Sequence, residues 1–249
     1  KIEKGDTITD PKRVTKHDEL EVFDRVIANP MWNQKEWNKD WIQNNEPYNR
    51  FPYGLPPSNR GDWAWVQLMI ASLNETGKAG VVMDNGVLFR SRSEKKIRKP
   101  ILKDDLVEAV IALPENLFYN TSSPGCILIL NKDKPEEREG KVHFIYAEDQ
   151  TLRESDVQVF EELSNQNQLT NKGVEYLAET FLTGREEDHH SRLVDLEEIE
   201  ENDWNLNVPR YVDTTEPEEP IDVGKKLREL DRLAKERKET DEDLQTHMK

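Results

Sequence analysis

Apolar residues in this chain arrive in runs of strand length, separated by stretches with helical spacing. The runs are VFDRVIA (22–28), AGVVMDN (79–85), LVEAVIAL (106–113) and CILIL (126–130). Between the first two, DWAWVQLMIASLNET (62–76) repeats its apolar residues at helical intervals, with Asp62 able to cap its start and Gly77 ending it. SEKKIRKPIL (93–102) predicts a short basic helix, with Pro100 marking its end or a kink. KVHFIYAED (141–149) alternates and predicts a further, edge-type strand. Strands separated by helices point to an α/β fold around a mainly parallel sheet.

The first run stops abruptly at Asn29-Pro30, because proline cannot donate a ladder hydrogen bond and disfavours helix for the residue before it. A loop rich in Trp, Asn and Pro follows, from Met31 to about Arg60, too long for a mere connector. The tip of a parallel strand faces the crevice where α/β sheets bind ligands. There Asn29 offers a side-chain acceptor, Pro30 a backbone acceptor and Trp32 a flat apolar face. Two acceptors beside a stacking ring suit a planar group carrying an NH₂. An exocyclic amine conjugated to a purine is a poor nucleophile, and accepting both of its hydrogens favours a pyramidal nitrogen with a free lone pair. That is stabilisation of developing positive charge rather than proton abstraction, and inside duplex DNA it requires extruding the base. The same four residues also read as an ordinary turn, since Asn-Pro commonly starts one.

Charge is unevenly placed. Residues 1–150 hold 22 Lys and Arg against 24 Asp and Glu, whereas residues 151–249 hold 13 against 27, for a total of -16. An acidic C-terminal part disfavours unaided grip on a phosphate backbone, so a nucleic-acid substrate implies another subunit supplying affinity. The single cysteine, Cys126, cannot form an internal disulfide and reads as a buried thiol in a reducing cytoplasm. No Cys/His cluster has metal-ligand spacing, so no metal site is expected. No apolar run is long enough for a membrane-spanning helix, and no leader pattern opens the chain.

Residues 151–205 are polar and predict mostly helix with some loop, TTEPEEP (214–220) is linker-like, and residues 221–244 predict an exposed helix. In that helix Leu227, Leu230 and Ala234 keep an apolar spacing that Arg237 breaks, which suits docking more than a coiled coil. The expected organisation is therefore 1–150, 151–213 and 214–249. Arg92, Lys95, Lys96, Arg98 and Lys99 could touch DNA phosphates or form a solvated helix face. His189 and His190, in an acidic loop, need no role.

Six ordered blocks make the chain resemble the methylation subunit of type I restriction-modification systems, an N6-adenine DNA methyltransferase. They are GDTITDP (5–11), FDRVIANPMW (23–32), RFPYGLPPSNRGDWAWVQLMIASL (50–73), GKAGVVMDNGVLFRSRSEKKIRKPIL (77–102), LVEAVIALPENLFYNTSSPGCILILNK (106–132) and ENDWNLNVPRYVD (201–213). The resemblance implies a partial Rossmann-like class I methyltransferase sheet, a contiguous half in the family's strand order 4-5-7-6, plus a C-terminal helical region. It implies that Asn29 and Pro30 accept from the adenine amine and that Trp32 stacks on the flipped base. Phe118 would be the second aromatic, on the opposite face of that base, with Tyr119 the alternative. Asp6 would contact the adenine of S-adenosylmethionine, the methyl donor, although Asp before Thr is also an ordinary turn residue. The implied partners are DNA, a specificity subunit against which the C-terminal helices pack, and a restriction subunit, in a bacterial or archaeal cytoplasm.

Two departures from the family stand out. Met31 replaces the second proline of the usual Asn-Pro-Pro-aromatic, which leaves both acceptors but frees a backbone torsion. The family's Gly-rich cofactor loop, acidic ribose contact and N-terminal helical domain have no counterpart in the sequence. The expectation is a fragment that alone is inactive, binds S-adenosylmethionine poorly and leaves strand 22–28 as an uncovered edge. Asn-Pro-x-aromatic also occurs in methyltransferases acting on glutamine amides, which the long blocks and acidic tail fit badly.

Overall fold

The computed structural model describes residues 2–215 except Asn120 and Glu154, and Gly224, Arg228, Leu230, Arg232, Leu233, Ala234, Glu236 and Arg237. Residues 1–214 form one compact unit and residues 215–249 a second. In the second, all the described residues beyond Thr215 are helical; Leu227 and most of the linker lie outside the described residues.

The strands of the first unit are β1 (Phe23–Ala28), β2 (Leu73–Asp84), β3 (Val107–Ala112), β4 (Gly125–Asn131), β5 (Lys141–Tyr146), β6 (Phe160–Glu162), β7 (Asn167–Leu169) and β8 (Ser191–Asp195). The helices are α1 (Lys39–Asn45), α2 (Asp62–Ala71), α3 (Gly86–Phe89), α4 (Ser93–Lys103), α5 (Asn171–Thr183) and α6 (Leu196–Glu201). Six strands join in the order β1-β2-β4-β3-β5-β8, and β6-β7 is a separate hairpin. The run β1-β2-β4-β3 reproduces the expected half-sheet order, and β5 and β8 extend it. β1, β2, β3 and β5 point one way, with β4 and β8 running against them.

Period-2 alternation divides the core between the two faces. Val110, Cys126, Leu128, Leu130, Val142 and Phe144 belong to the larger cluster with α2, α4 and the segment Trp204–Val212. Phe144 stacks on Tyr211 there at 4.2 Å between ring centroids. Ile111, Ile127 and Ile145 belong instead to a cluster with α5 and the β6-β7 hairpin.

Several local expectations shift. The helix from Asp62 ends at Ala71 rather than near Thr76, and β2 starts at Leu73. The Phe23 N–H takes the Ser72 carbonyl at 2.9 Å, so pairing with β1 overrides the helical spacing of the last residues. The basic helix runs through Pro100 to Lys103. An interior proline costs about 3 kcal/mol, and burying Ile101 and Leu102 beyond it returns roughly 1.5–3 kcal/mol each. β5 is no edge strand, since β3 and β8 flank it. Its alternation misleads because His143, polar on paper, is fully buried. The stretch 151–205 is not mainly helical either: it supplies β6, β7 and the edge strand β8 besides α5 and α6. β1 does lie at the sheet edge, with Ile27 90% exposed.

His143 makes stability acid-sensitive. Burial pushes its pKa down to about 4 from 6.5, partly opposed by a contact from its Nε2 to the Arg185 carbonyl at 3.1 Å. The folded chain thus binds fewer protons than the unfolded one between those values. This contribution is full above pH 6.5 and is lost as pH falls towards 4, amounting to about 3 kcal/mol. His190, contrary to the free loop residue expected, is buried on the Tyr146 carbonyl at 2.6 Å and shifts the same way. Ring titration by NMR should find His143 still neutral at pH 5; protonation near pH 6.5 would refute the assignment.

Candidate active site

β1 and β2 end, and β4 begins, at one end of the sheet, where Asp84 pairs with Gly125 across β2 and β4. A cavity of about 500 Å³ opens there, lined by Asn29, Pro30, Met31, Trp32, Asn33, Asp84, Phe118, Tyr119, Thr121 and Ser123. Three sequence-predicted groups therefore meet: the Asn-Pro tip of β1, Trp32 and the loop between β3 and β4. Asn29 is exposed to this space, and its amide has no hydrogen-bond partner among the described residues.

The Trp32 ring is held on the sheet by its indole N–H, which donates to the Val82 carbonyl at 3.2 Å. Phe118 meets it edge to face, with centroids 4.6 Å apart and planes at 71°. Gly125 lies beneath both rings. A Cβ there would come within 2.7 Å of Phe118 Cε2 and 2.8 Å of Trp32 Cη2, so only glycine leaves room for this pair. A base sandwiched between two faces needs roughly 7 Å, two contacts of ~3.5 Å each. Phe118 in this arrangement walls the cavity beside Trp32 and does not face it across a slot. Tyr119, 89% exposed on the same cavity, is the ring with freedom to move.

Asp6 is not brought to this cavity. Its Oδ1 accepts the Ile8 N–H at 2.9 Å, bending its own turn, and its Oδ2 accepts from Asn38 Nδ2 at 3.0 Å. The carboxylate thus ties its own turn to Asn38, on the segment leading into α1. Among the described residues there is no cluster of His, Cys, Asp and Glu that could hold a metal ion. No described helix is long and apolar enough to cross a membrane.

The basic run 91–99 takes neither of its two expected roles as a block. Arg98 is buried, with Nε donating to the Trp204 carbonyl at 2.7 Å and Nη1 to those of Arg90 and Val87 at 3.0 and 3.1 Å; burial pulls its pKa down to about 10. Lys95 pairs with Asp203, and Lys99 lies over the Trp204 ring at 5.1 Å. These side chains bind α4 to the segment after α6, leaving Arg92 and Lys96 exposed.

Sequence reasoning missed a polar cluster beside the cavity. The Asn33 N–H donates to Asp62 Oδ1 at 2.7 Å; Arg90 donates to Asp62 Oδ2 at 2.8 Å and to Asn33 Oδ1 at 2.7 Å, and pairs with Asp84. Asp62 thus holds the loop after β1 as well as sitting at a helix start. The one signal in the sequence was an acidic residue, Asp84, closing an otherwise apolar strand.

Comparisons with known proteins bear on the family of the chain. The profile of the family described as N-6 DNA Methylase matches residues 1–220. The type I restriction enzyme MjaVIII methylase subunit of Methanocaldococcus jannaschii is 42% identical over 236 residues, covering 93% of this chain and 39% of that protein. The HindI methylase subunit of Haemophilus influenzae is 32% identical over 259 residues, covering 98% of this chain and 53% of that protein. The crystal structure of a type I restriction-modification methyltransferase subunit from Streptococcus thermophilus superposes with a TM-score of 0.71 at 31% identity, over 84% of this chain and 41% of that one. The chain thus spans between about two-fifths and half of the length of these relatives. With a profile match over most of its length, the chain belongs to the N-6 DNA methylase family.

Proposed function

We propose that the protein to which this chain belongs methylates N6 of an adenine extruded from DNA, with Asn29, Pro30 and Trp32 forming the amine end of the base site. The observation that carries this is the exposed Asn29 amide at the tip of β1, without a hydrogen-bond partner among the described residues and sharing one cavity with Trp32 and the exposed Tyr119. Asn29 Oδ1 and the Pro30 carbonyl accept the two amine hydrogens, which withdraws the nitrogen lone pair from conjugation and offsets the positive charge that develops on it. Trp32, fixed by Val82, supplies the stacking face. Tyr119 closes over the other face of the base, or Phe118 does so after turning away from Trp32. S-adenosylmethionine supplies the electrophilic methyl group. Asp6, whose Oδ2 accepts only from Asn38 among the contacts described, contacts the adenine of that cofactor in this reading. Met31, 66% exposed at the cavity rim, leaves both acceptors in place.

The partners in this reading are DNA, a sequence-reading specificity subunit docked by the C-terminal helix, and a restriction subunit. The site of action is the cytoplasm of a bacterium or archaeon. The uncovered β1 edge supports a second reading for the 249 residues alone: a catalytically inert half-domain that keeps the base cavity and docking surfaces. Titrating labelled S-adenosylmethionine into the chain tests this, and micromolar binding would refute it. Mass spectrometry of DNA treated with the full-length subunit, its specificity partner and labelled donor should show N6-methyladenine. Label on protein glutamine instead would overturn the substrate assignment.

A further inference from the structure

The Asn-Pro-Met-Trp segment is a loop, and a loop holds an acceptor to a fraction of an ångström only if something fixes it. The cluster around Arg90 does this from three directions. Its guanidinium joins Asn33, the residue after Trp32, to Asp62 at the start of α2 and to Asp84 at the end of β2. Asp62 returns to the same residue through the Asn33 backbone N–H. Asn33 is thereby gripped at both its backbone and its side chain, in a left-handed conformation (φ 51°) that asparagine tolerates better than most residues. Glu94 stands 3.6 Å from the same guanidinium.

The sequence around Arg90 is shaped for this contact. Gly86, at the start of α3, has no side chain where the guanidinium lies. A Cβ there would fall 2.3 Å from Nη2 and 2.4 Å from Cζ of Arg90. Its backbone has no need of glycine, since alanine is favoured in a helix. The vacancy therefore serves the guanidinium. Lysine could not replace arginine, because a single ammonium cannot span Asn33, Asp62 and Asp84 with the planar fork's geometry.

We propose that Arg90 is a positioning residue for methyl transfer: seated in the space left by Gly86, it locks Asn33 against Asp62 and Asp84 and so fixes Asn29, Pro30 and Trp32 at the amine. This rests on the functional reading above. Arg90 touches no substrate in this scheme and acts through Asn33.

The test uses the full-length subunit assembled with its specificity partner, on target DNA with 2-aminopurine at the base to be extruded and, separately, with adenine. Arg90→Lys keeps the charge and loses the fork. Gly86→Ala keeps every charge and displaces only the flexible end of Arg90. Asn33→Ala removes an exposed side chain and cannot unfold the core. Each should lower kcat roughly ten- to a hundredfold, the effect expected of a misplacement of about 1 Å. KM for S-adenosylmethionine should stay within about twofold, and 2-aminopurine emission should rise as the extruded base loses its stacking. Arg90→Lys in the Asn33→Ala background should add less than it does alone, because only the Asp62 hold on the Asn33 backbone N–H is left for it to loosen. Wild-type kcat in Asn33→Ala and Gly86→Ala would overturn the proposal, as would losses that merely follow the folded fraction with no change in emission. Asn29→Ala separates the two claims. Inactivity there alongside normal Arg90, Gly86 and Asn33 variants leaves the functional reading standing and removes only the clamp, whereas activity there removes the reading itself.

Discussion

Asn29→Ala in the full-length subunit should lower kcat for DNA methylation by roughly 10²–10³-fold, the effect of deleting one preorganised polar partner of developing charge. Stability should barely change. The Asn29 side chain is exposed at the cavity, and surface substitutions of this kind stay within about 0.5 kcal/mol. The separation is what gives the experiment its force, since a dead enzyme with an unaltered melting curve points to chemistry. Pro30 contributes its acceptor through the backbone, so its replacement by alanine should cost much less than the loss of Asn29. Asn29→Ala turning over at the wild-type rate, with N6-methyladenine as product, would show that the amine is activated elsewhere.

A second large effect is expected away from the cavity, in stability alone. Glu108 on β3 is 1% exposed and carries three partners: Arg138 Nη1 at 3.1 Å, Lys78 Nζ at 3.3 Å and Asn131 Nδ2 at 3.0 Å. Arg138 also donates to the Leu182 carbonyl at 2.9 Å, in the last turn of α5. Glu108→Ala leaves a buried guanidinium without its carboxylate, and removing one member of a buried pair costs about 3–5 kcal/mol. Against a usual total of about 5–15 kcal/mol for a folded domain, that is a large share. Glu108→Gln keeps the shape and an acceptor and should cost distinctly less. Urea denaturation of the chain gives the comparison, and an unmoved midpoint in Glu108→Ala would contradict the account.

Much of the α/β layout can be read along the chain because it is local. The runs at 22–28, 79–85, 106–113 and 126–130 all fall on strands, and residues 62–71 form most of the expected helix. The Asn29-Pro30 stop is equally local, since proline ends a ladder wherever it stands. Errors arose where burial depended on something remote. The alternation of 141–149 predicts an edge strand, yet β8 flanks it and His143 is buried on the Arg185 carbonyl. β8 itself, SRLVD, falls in the polar stretch expected to be mostly helix with some loop, and only its Ser191 and Val194 are buried.

For the site, the chain by itself determined which groups could act: an amide and a proline at a strand tip, an indole two residues on, and two aromatic residues in a loop near residue 118. Those depend on residue type and short spacing, which covalent connection preserves. Only the tertiary structure decided that Trp32 and Phe118 meet edge to face over Gly125, that Arg98 is buried under Trp204, and that Arg90 holds Asn33 from 57 positions away. Such contacts arise when close packing brings distant segments together and leaves a buried charge no stable place except beside its partners.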